Sequence, residues 1–214
     1  MSSPTAHVYV DGFNLYRRAL VDSPHKWLDL ETMARLLLPE HVIPRVRYFT
    51  AHVKHQPHDP RAPQRQQVYL RALRANSVID IHLGYFRNDR RDMPVHPLQY
   101  DATGKPVMVR VRKTEEKGSD VNLATYLLLD GFRQSADAYV VVSNDSDLAE
   151  PLRVMIQEFG HTVGLVAPSG RPSNALLATG PQIIRELRSG VLAASQMPNS
   201  LKDVNGTIHK PTEW

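Results

Sequence analysis

Aspartates mark three places where a strand-like or loop stretch hands over to a helical one: Asp11 in VYVDGFN, Asp120 in EEKGSDVNLA, and Asp145 with Asp147 in VVVSNDSDLAE. Carboxylates gathered in one crevice repel by about 1 kcal/mol or more per close pair, a cost that a divalent cation removes. Magnesium suits such a set, because it is a hard ion that takes a few carboxylates, keeps waters and is completed by substrate phosphate oxygens. The chemistry it brings is an activated water and stabilised charge on a phosphodiester, which is hydrolysis without a covalent nucleophile. Each aspartate alone has a plainer reading. Asp is a favoured N-cap, and Asp147-x-x-Glu150 forms a capping box ahead of an apolar run.

The elements that must position these acids follow from the periodicity. Short β-branched runs at His7–Val10, Val42–Val53, Ser77–Phe86, Ala138–Val142 and His161–Ala167 alternate with helical spacing at Leu28–Leu38, Arg61–Asn76, Val121–Phe132, Leu148–Phe159 and Asn174–Leu187, the last interrupted near Gly180-Pro181. This predicts an α/β fold with a mainly parallel sheet. Residues 87–117 hold prolines, glycines and a second alternating run, and read as a hairpin excursion. In an open parallel sheet the carboxyl ends of the strands share one edge, so Asp11 and Asp145 can meet there. Asp120 joins them only if the excursion returns to that edge. From Ser189 to Trp214 the chain is polar and weakly periodic, which predicts a loose tail or a peripheral cap.

Composition narrows the chemistry. The 214 residues carry 26 Lys and Arg against 22 Asp and Glu, a net charge of +4, with no cysteine. A thiolate nucleophile, an iron–sulfur cluster, a disulfide framework and cysteine-based zinc modules are thereby excluded. Neither a signal sequence nor an apolar run long enough to span a bilayer is visible, so a cytoplasmic protein with no membrane partner is the expectation. The positive charge is clustered. Arg61–Asn76 has four arginines, among them Arg65 and Arg71, and no acid, while residues 87–117 hold eight Lys or Arg against five acids. With Arg17 and Arg18 just past Asp11, and Arg110 and Arg112 in the second alternating run, these could line a groove for phosphates. Tyr85 and Phe86 could stack on unpaired bases. The bland alternative is solvated helix faces and core aromatics.

Other candidates are weaker. His52-x-x-His55-x-x-His58 reads as a solvated loop broken by Pro57 and Pro60, and Ser169-Gly170-Arg171 with Ser173 as a turn with anion-binding geometry at most. No Walker-type loop and no G-x-S-x-G elbow is present, which removes nucleotide-driven motors and acyl hydrolases.

Taken in order, Asp11-Gly12-x-Asn14, Lys117-Gly118-x-Asp120 and Ser143-x-Asp145-Ser146-Asp147-Leu148 resemble the NYN domain, a branch of the PIN-like nuclease superfamily, over residues 5–188. The resemblance implies a three-layer α/β/α fold with about five mainly parallel strands. It implies a ribonuclease dependent on Mg2+ or Mn2+, acting on single-stranded or structured RNA. Asp11, Asp120 and Asp145 would be its catalytic metal ligands, with Asn14, Asp147 and Lys117 in support. Many members carry a further acid where Tyr126 stands, so one strong metal site and one completed by substrate is the expectation. Two rivals remain: a catalytically inactive RNA- or protein-binding regulatory NYN domain, and a phosphomonoesterase using the same acids. A homodimer stays open.

Overall fold

The computed structural model describes all residues except 1, 2, 56 and 58. The chain runs β1 (Thr5–Asp11), α1 (Gly12–Leu15) with a π turn over Tyr16–Leu20, α2 (Leu30–Leu37), β2 (Val42–Ala51), α3 (Ala62–Arg74) and β3 (Ile79–Pro94). It continues through β4 (Met108–Lys117), α4 (Ser119–Phe132), β5 (Ala138–Val142), α5 (Ala149–Arg153), β6 (Thr162–Ala167), α6 (Asn174–Leu177) and β7 (Ile183–Glu186). A terminal segment adds α7 (Ser189–Ala194) and the hairpin β8 (Ser200–Asp203) with β9 (Gly206–His209).

Seven strands form one sheet in the order β4-β3-β2-β1-β5-β6-β7, parallel except for β4. Alternation along β1 explains its two covers. Ala6, Val8 and Val10 join Leu30, Met33, Leu70 and Leu73 of α2 and α3 in one core, while Tyr9 joins Leu123, Leu127 and Leu152 of α4 and α5, and Met155 just past α5, in the other. From β1 the chain builds outward through β2 and β3, then returns to the other side of β1 with β5. The order therefore reverses between β1 and β5, and a crevice opens at their carboxyl ends.

Three elements differ from expectation. Strand β3 does not end at Phe86 but continues to Pro94, pairing β2 up to Gly84 and β4 from Tyr85 onward. A Cβ at Gly84 would lie 2.5 Å from both Glu116 Oε1 and the Lys117 carbonyl, so only glycine lets β4 come this close. The predicted helix Asn174–Leu187 stops at Leu177; Gly180 takes φ +83° and, with Pro181, redirects the chain into β7, which enlarges the sheet beyond the expected five strands. Finally, Leu148–Phe159 starts as a 3-10 turn over Ser146–Leu148 and ends in a π turn over Val154–Glu158 instead of forming one α-helix.

The terminal segment is ordered against α2 and α3. Trp27 Nε1 donates to the Pro198 carbonyl at 2.8 Å, and the Trp214 ring lies 6.3 Å from that of Trp27 and 5.8 Å from that of Tyr69. Among the described residues no helix is long and apolar enough to cross a membrane.

Candidate metal centre

The chain leaves β1 at Asp11 and turns at once into α1. Gly12 makes this turn fit, since a Cβ there would meet the Phe49 carbonyl and the Tyr48 ring at 2.7 Å. Asp11 is only 4% exposed. Its Oδ1 accepts the Asn14 N–H at 3.0 Å, capping α1, and its Oδ2 accepts the Ser143 hydroxyl at 2.9 Å. The adjacent β5 ends in Ser143-Asn144-Asp145. There Ser143 Oγ also accepts the Asp145 N–H at 3.1 Å, and Asp145 Oδ1 accepts the Asp147 N–H at 3.0 Å. The cap reading of these acids is thus correct for Asp11 and Asp145, and it is compatible with a second duty because each carboxylate keeps lone pairs facing the crevice.

Asp120 arrives from the other direction. Strand β4 brings the chain back to the sheet edge, Gly118 turns it at φ +96°, and Glu116 Oε1 accepts both the N–H (3.1 Å) and the hydroxyl (2.8 Å) of Ser119. With the first turn of α4 capped by Glu116, the Asp120 carboxylate is left free of intrahelical bonds. One oxygen each from Asp11, Asp120 and Asp145 lies within 4.8 Å of the others.

The electrostatics record the crowding. Asp120 is pushed up to about 6, first by burial and then by the charges of Asp11, Asp145, Glu116 and Asp147. Burial also raises Asp11, with Asp145 adding to it, against the opposing N–H of Asn14 and hydroxyl of Ser143. Three carboxylates with an oxygen each inside 4.8 Å, Asp11 already oriented by donors, form a donor set that fits a hard divalent cation.

The centre sits in an open cleft of 620 Å3 whose lining includes Arg17, Arg18 and Asn14 on one side and Thr114, Glu116 and Lys117 on the other. Asn14 Oδ1 accepts the Asn144 N–H at 3.0 Å, and Asn144 Oδ1 in turn accepts the Ser173 N–H at 2.6 Å, so amides tie the loops after β1, β5 and β6 together. Lys117 is exposed and 3.4 Å from Glu115. Asp147 points to solvent and touches the site only through its backbone N–H and its charge. Phe86 packs edge-on against Phe13, which lines the cleft, with centroids 5.6 Å apart, while Tyr85 is exposed.

Several basic candidates stand elsewhere. Arg65 is engaged by Asp59 and by Glu213 (3.7 Å), and Arg71 grips Asp203 with two bonds of 2.6 and 2.7 Å, so both fasten the terminal segment to α3 and neither lines the cleft. Arg110 pairs with Asp92 at 3.2 Å on the outer part of β4, where Arg112 also lies. Tyr126 faces away from the aspartates, its ring 4.0 Å from that of His82 and beneath the Arg47 guanidinium at 4.7 Å. His52 and His55 are exposed, and His58 lies outside the described residues.

Sequence reasoning missed Ser143, Asn144 and Glu116 as organisers of the site. Ser143 and Glu116 lay inside the quoted motifs, yet their roles depend on partners that only the fold supplies.

The comparisons with known proteins bear on the family and the fold. The model of the NYN domain matches residues 5–186. The chain is 30% identical over 232 residues to the 6-hydroxy-3-succinoylpyridine 3-monooxygenase HspA of Pseudomonas putida, covering 97% of this chain and 74% of that protein. Among solved structures, a protein of unknown function from Vibrio parahaemolyticus is similar in fold, with a TM-score of 0.55 at 14% identity over 87% of this chain and 94% of that one. With the aspartate-lined crevice at the reversal of its sheet and a family match across most of its length, the chain belongs to the NYN domain family, within the PIN-like nuclease superfamily.

Proposed function

We propose that this protein is a metal-dependent ribonuclease that hydrolyses RNA phosphodiester bonds. The observation that carries this reading is the convergence of Asp11, Asp120 and Asp145, with an oxygen from each inside 4.8 Å. These residues would hold Mg2+ or Mn2+, which when bound supplies an activated water and offsets charge building on the phosphodiester. The chain's own groups do the rest. Ser143 and the Asn14 N–H fix the rotamer of Asp11, and the Asn14 side chain holds the loop that carries Asp145. Arg17, Arg18 and Lys117 flank the acids and offer charge to the neighbouring phosphates of a bound strand. Phe13 and Phe86 offer an apolar surface to a base. Tyr126 stands where many members carry a further acid and faces away from the aspartates, so a second ion would need substrate oxygens. Residues 5–188 would be the nuclease unit and residues 189–214 a cap that supports α2 and α3, in a cytoplasmic protein that acts alone or as a homodimer.

The test is incubation of labelled RNA with magnesium or manganese and with chelator, beside Asp145→Asn. Cleavage that requires both the ion and Asp145 is the expected result. RNA that is bound but left intact by wild type and variant alike would identify a regulatory binding domain. The likeness to HspA favours a second reading, oxidation of a small aromatic acid in the same cleft, with Arg17 or Arg18 meeting its carboxylate. Consumption of 6-hydroxy-3-succinoylpyridine with oxygen and a two-electron reductant, without RNA cleavage, would establish that reading instead.

A further inference from the structure

The β3–β4 arm has two faces of different character. Residues directly opposite one another in an antiparallel pair share a face. On one face lie Tyr85 with Lys117, Arg87 with Glu115, Asp89 with Lys113 and Arg91 with Val111. Its charges close on themselves: Asp89 takes Arg87 at 2.9 Å and Arg91 at 3.0 Å, and Glu115 takes Lys113 and, at 3.4 Å, Lys117. The other face carries Phe86 with Glu116, Asn88 with Thr114, Arg90 with Arg112 and Asp92 with Arg110. Glu116 and Thr114 line the cleft, as Glu115 and Lys117 of the first face also do; Thr114 donates to Asn88 Oδ1 at 2.8 Å, and Phe86 rests on Phe13.

Farther out on that face Arg90 and Arg112 stand directly opposite each other. Among the described residues neither has an ion-pair partner, whereas Arg110 one step beyond is taken by Asp92. Like charges placed opposite in a strand pair oppose the pairing, so an anion bridging both guanidinium groups would stabilise this position. The pair is four residues beyond Phe86 and Glu116, about 14 Å at the rise of a strand. Phosphates in a stacked strand advance about 3.4 Å each, so an anion that occupies both the cleft and this pair must be a polymer of several phosphodiester steps.

We infer that the Phe86 face of the β3–β4 arm is a track for single-stranded RNA entering or leaving the cleft, with Arg90 and Arg112 together gripping its backbone several nucleotides from the scissile bond. This rests on the ribonuclease reading. The arm confers a length preference: long strands engage both cleft and arm, and very short ones reach only the cleft.

The test compares Arg90→Gln/Arg112→Gln with Arg87→Gln/Lys113→Gln, which removes equal charge from the self-paired face. Binding of a fluorescent 12-mer single-stranded RNA is followed by anisotropy in chelator across a salt series, so the readout does not depend on cleavage, and circular dichroism establishes that both variants fold. Loss of two phosphate contacts should weaken binding about tenfold near physiological salt and reduce the slope of log K against log salt by about 1.4 in the first variant alone. With magnesium or manganese, the first variant should cleave the 12-mer more slowly at low RNA concentration yet cleave a trinucleotide at the wild-type rate. Equal losses in both variants, or an unchanged slope in the first, overturn the track. Wild-type binding without cleavage would defeat the ribonuclease reading while leaving the track to be judged on the slope, and unchanged RNA affinity would leave the arm as a surface for a protein.

Discussion

Replacing Asp120 by asparagine should stabilise the metal-free protein while abolishing its cleavage of RNA. The carboxyl is pushed from its ordinary 3.8 to about 6 by burial and by four neighbouring acids. That displacement corresponds to at most about 3 kcal/mol of unfavourable charging, and because the cleft is open to water, screening leaves about 1–2 kcal/mol. Asparagine gives up the attraction between a negative charge and the first turn of α4, about 0.5 kcal/mol. The net gain is about 1 kcal/mol, or about 2–4 °C in Tm for a chain of this length. The sign depends on pH. The folded protein holds the Asp120 proton to higher pH than the unfolded chain does, so the wild type loses stability as pH rises from about 4 through about 6, and the loss is complete above that. Thermal unfolding in chelator should therefore show the variant ahead at pH 7.5 and level or slightly behind at pH 4. Magnesium should then raise the wild type and leave the variant nearly unmoved. A variant less stable than wild type at pH 7.5 in chelator, or an advantage equal at both pH values, would refute the account and make Asp120 a helix-start residue only.

Other perturbations should separate the duties of neighbouring groups. Asp11→Ala should also end cleavage but with the opposite effect on stability, a loss of about 1–2 kcal/mol by urea denaturation, because α1 loses its cap and the buried Ser143 hydroxyl its acceptor. Magnesium or manganese at 100 times its dissociation constant should add about 2.7 kcal/mol to unfolding, measured by the shift in the denaturation midpoint, and Asp145→Asn should remove most of that gain. Arg47→Met should cost about 3–5 kcal/mol by leaving Asp130 buried and unpaired, and a second change, Asp130→Leu, should restore much of it.

The parts of the fold that were legible in sequence are those specified locally. Asp11 and Asp145 follow continuous apolar strands and precede helix starts, so their place at one sheet edge followed from the parallel pattern alone. Asp120 was legible as an acid at a helix start, but its arrival at that edge depends on β4 pairing with the far half of β3, which Gly84 permits by close approach. Strand β7 was misread because four residues, with Ile184, Arg185 and Glu186 all exposed, carry too little pattern to outweigh the helical spacing before them. Arg71 resembled part of a nucleic-acid stripe because its acid lies in distant sequence: Asp203 is 132 residues away. A charged face counted along one helix cannot reveal an acid delivered by another element.

The same limit hid what holds the site together. Asp130, near the end of α4, is buried and accepts Arg47 Nε at 2.8 Å, Arg47 Nη2 at 2.9 Å and the Tyr9 hydroxyl at 2.7 Å. Burial alone would raise its carboxyl, but His7, Arg47 and Tyr9 hold it well below the usual range. Arg47 and Tyr9 belong to β2 and β1, so this cluster fastens α4 to the strands beneath it. Glu116 fixes the helix at its other end through Ser119. Asp120 is therefore held between two anchors and cannot swing away from Asp11 and Asp145 to relieve their repulsion. Breaking the buried Arg47–Asp130 pair costs about 3–5 kcal/mol, more than the about 1–2 kcal/mol set against it at Asp120. Because the rigid helix prevails, the unfavourable charge persists in the folded protein as affinity for a cation.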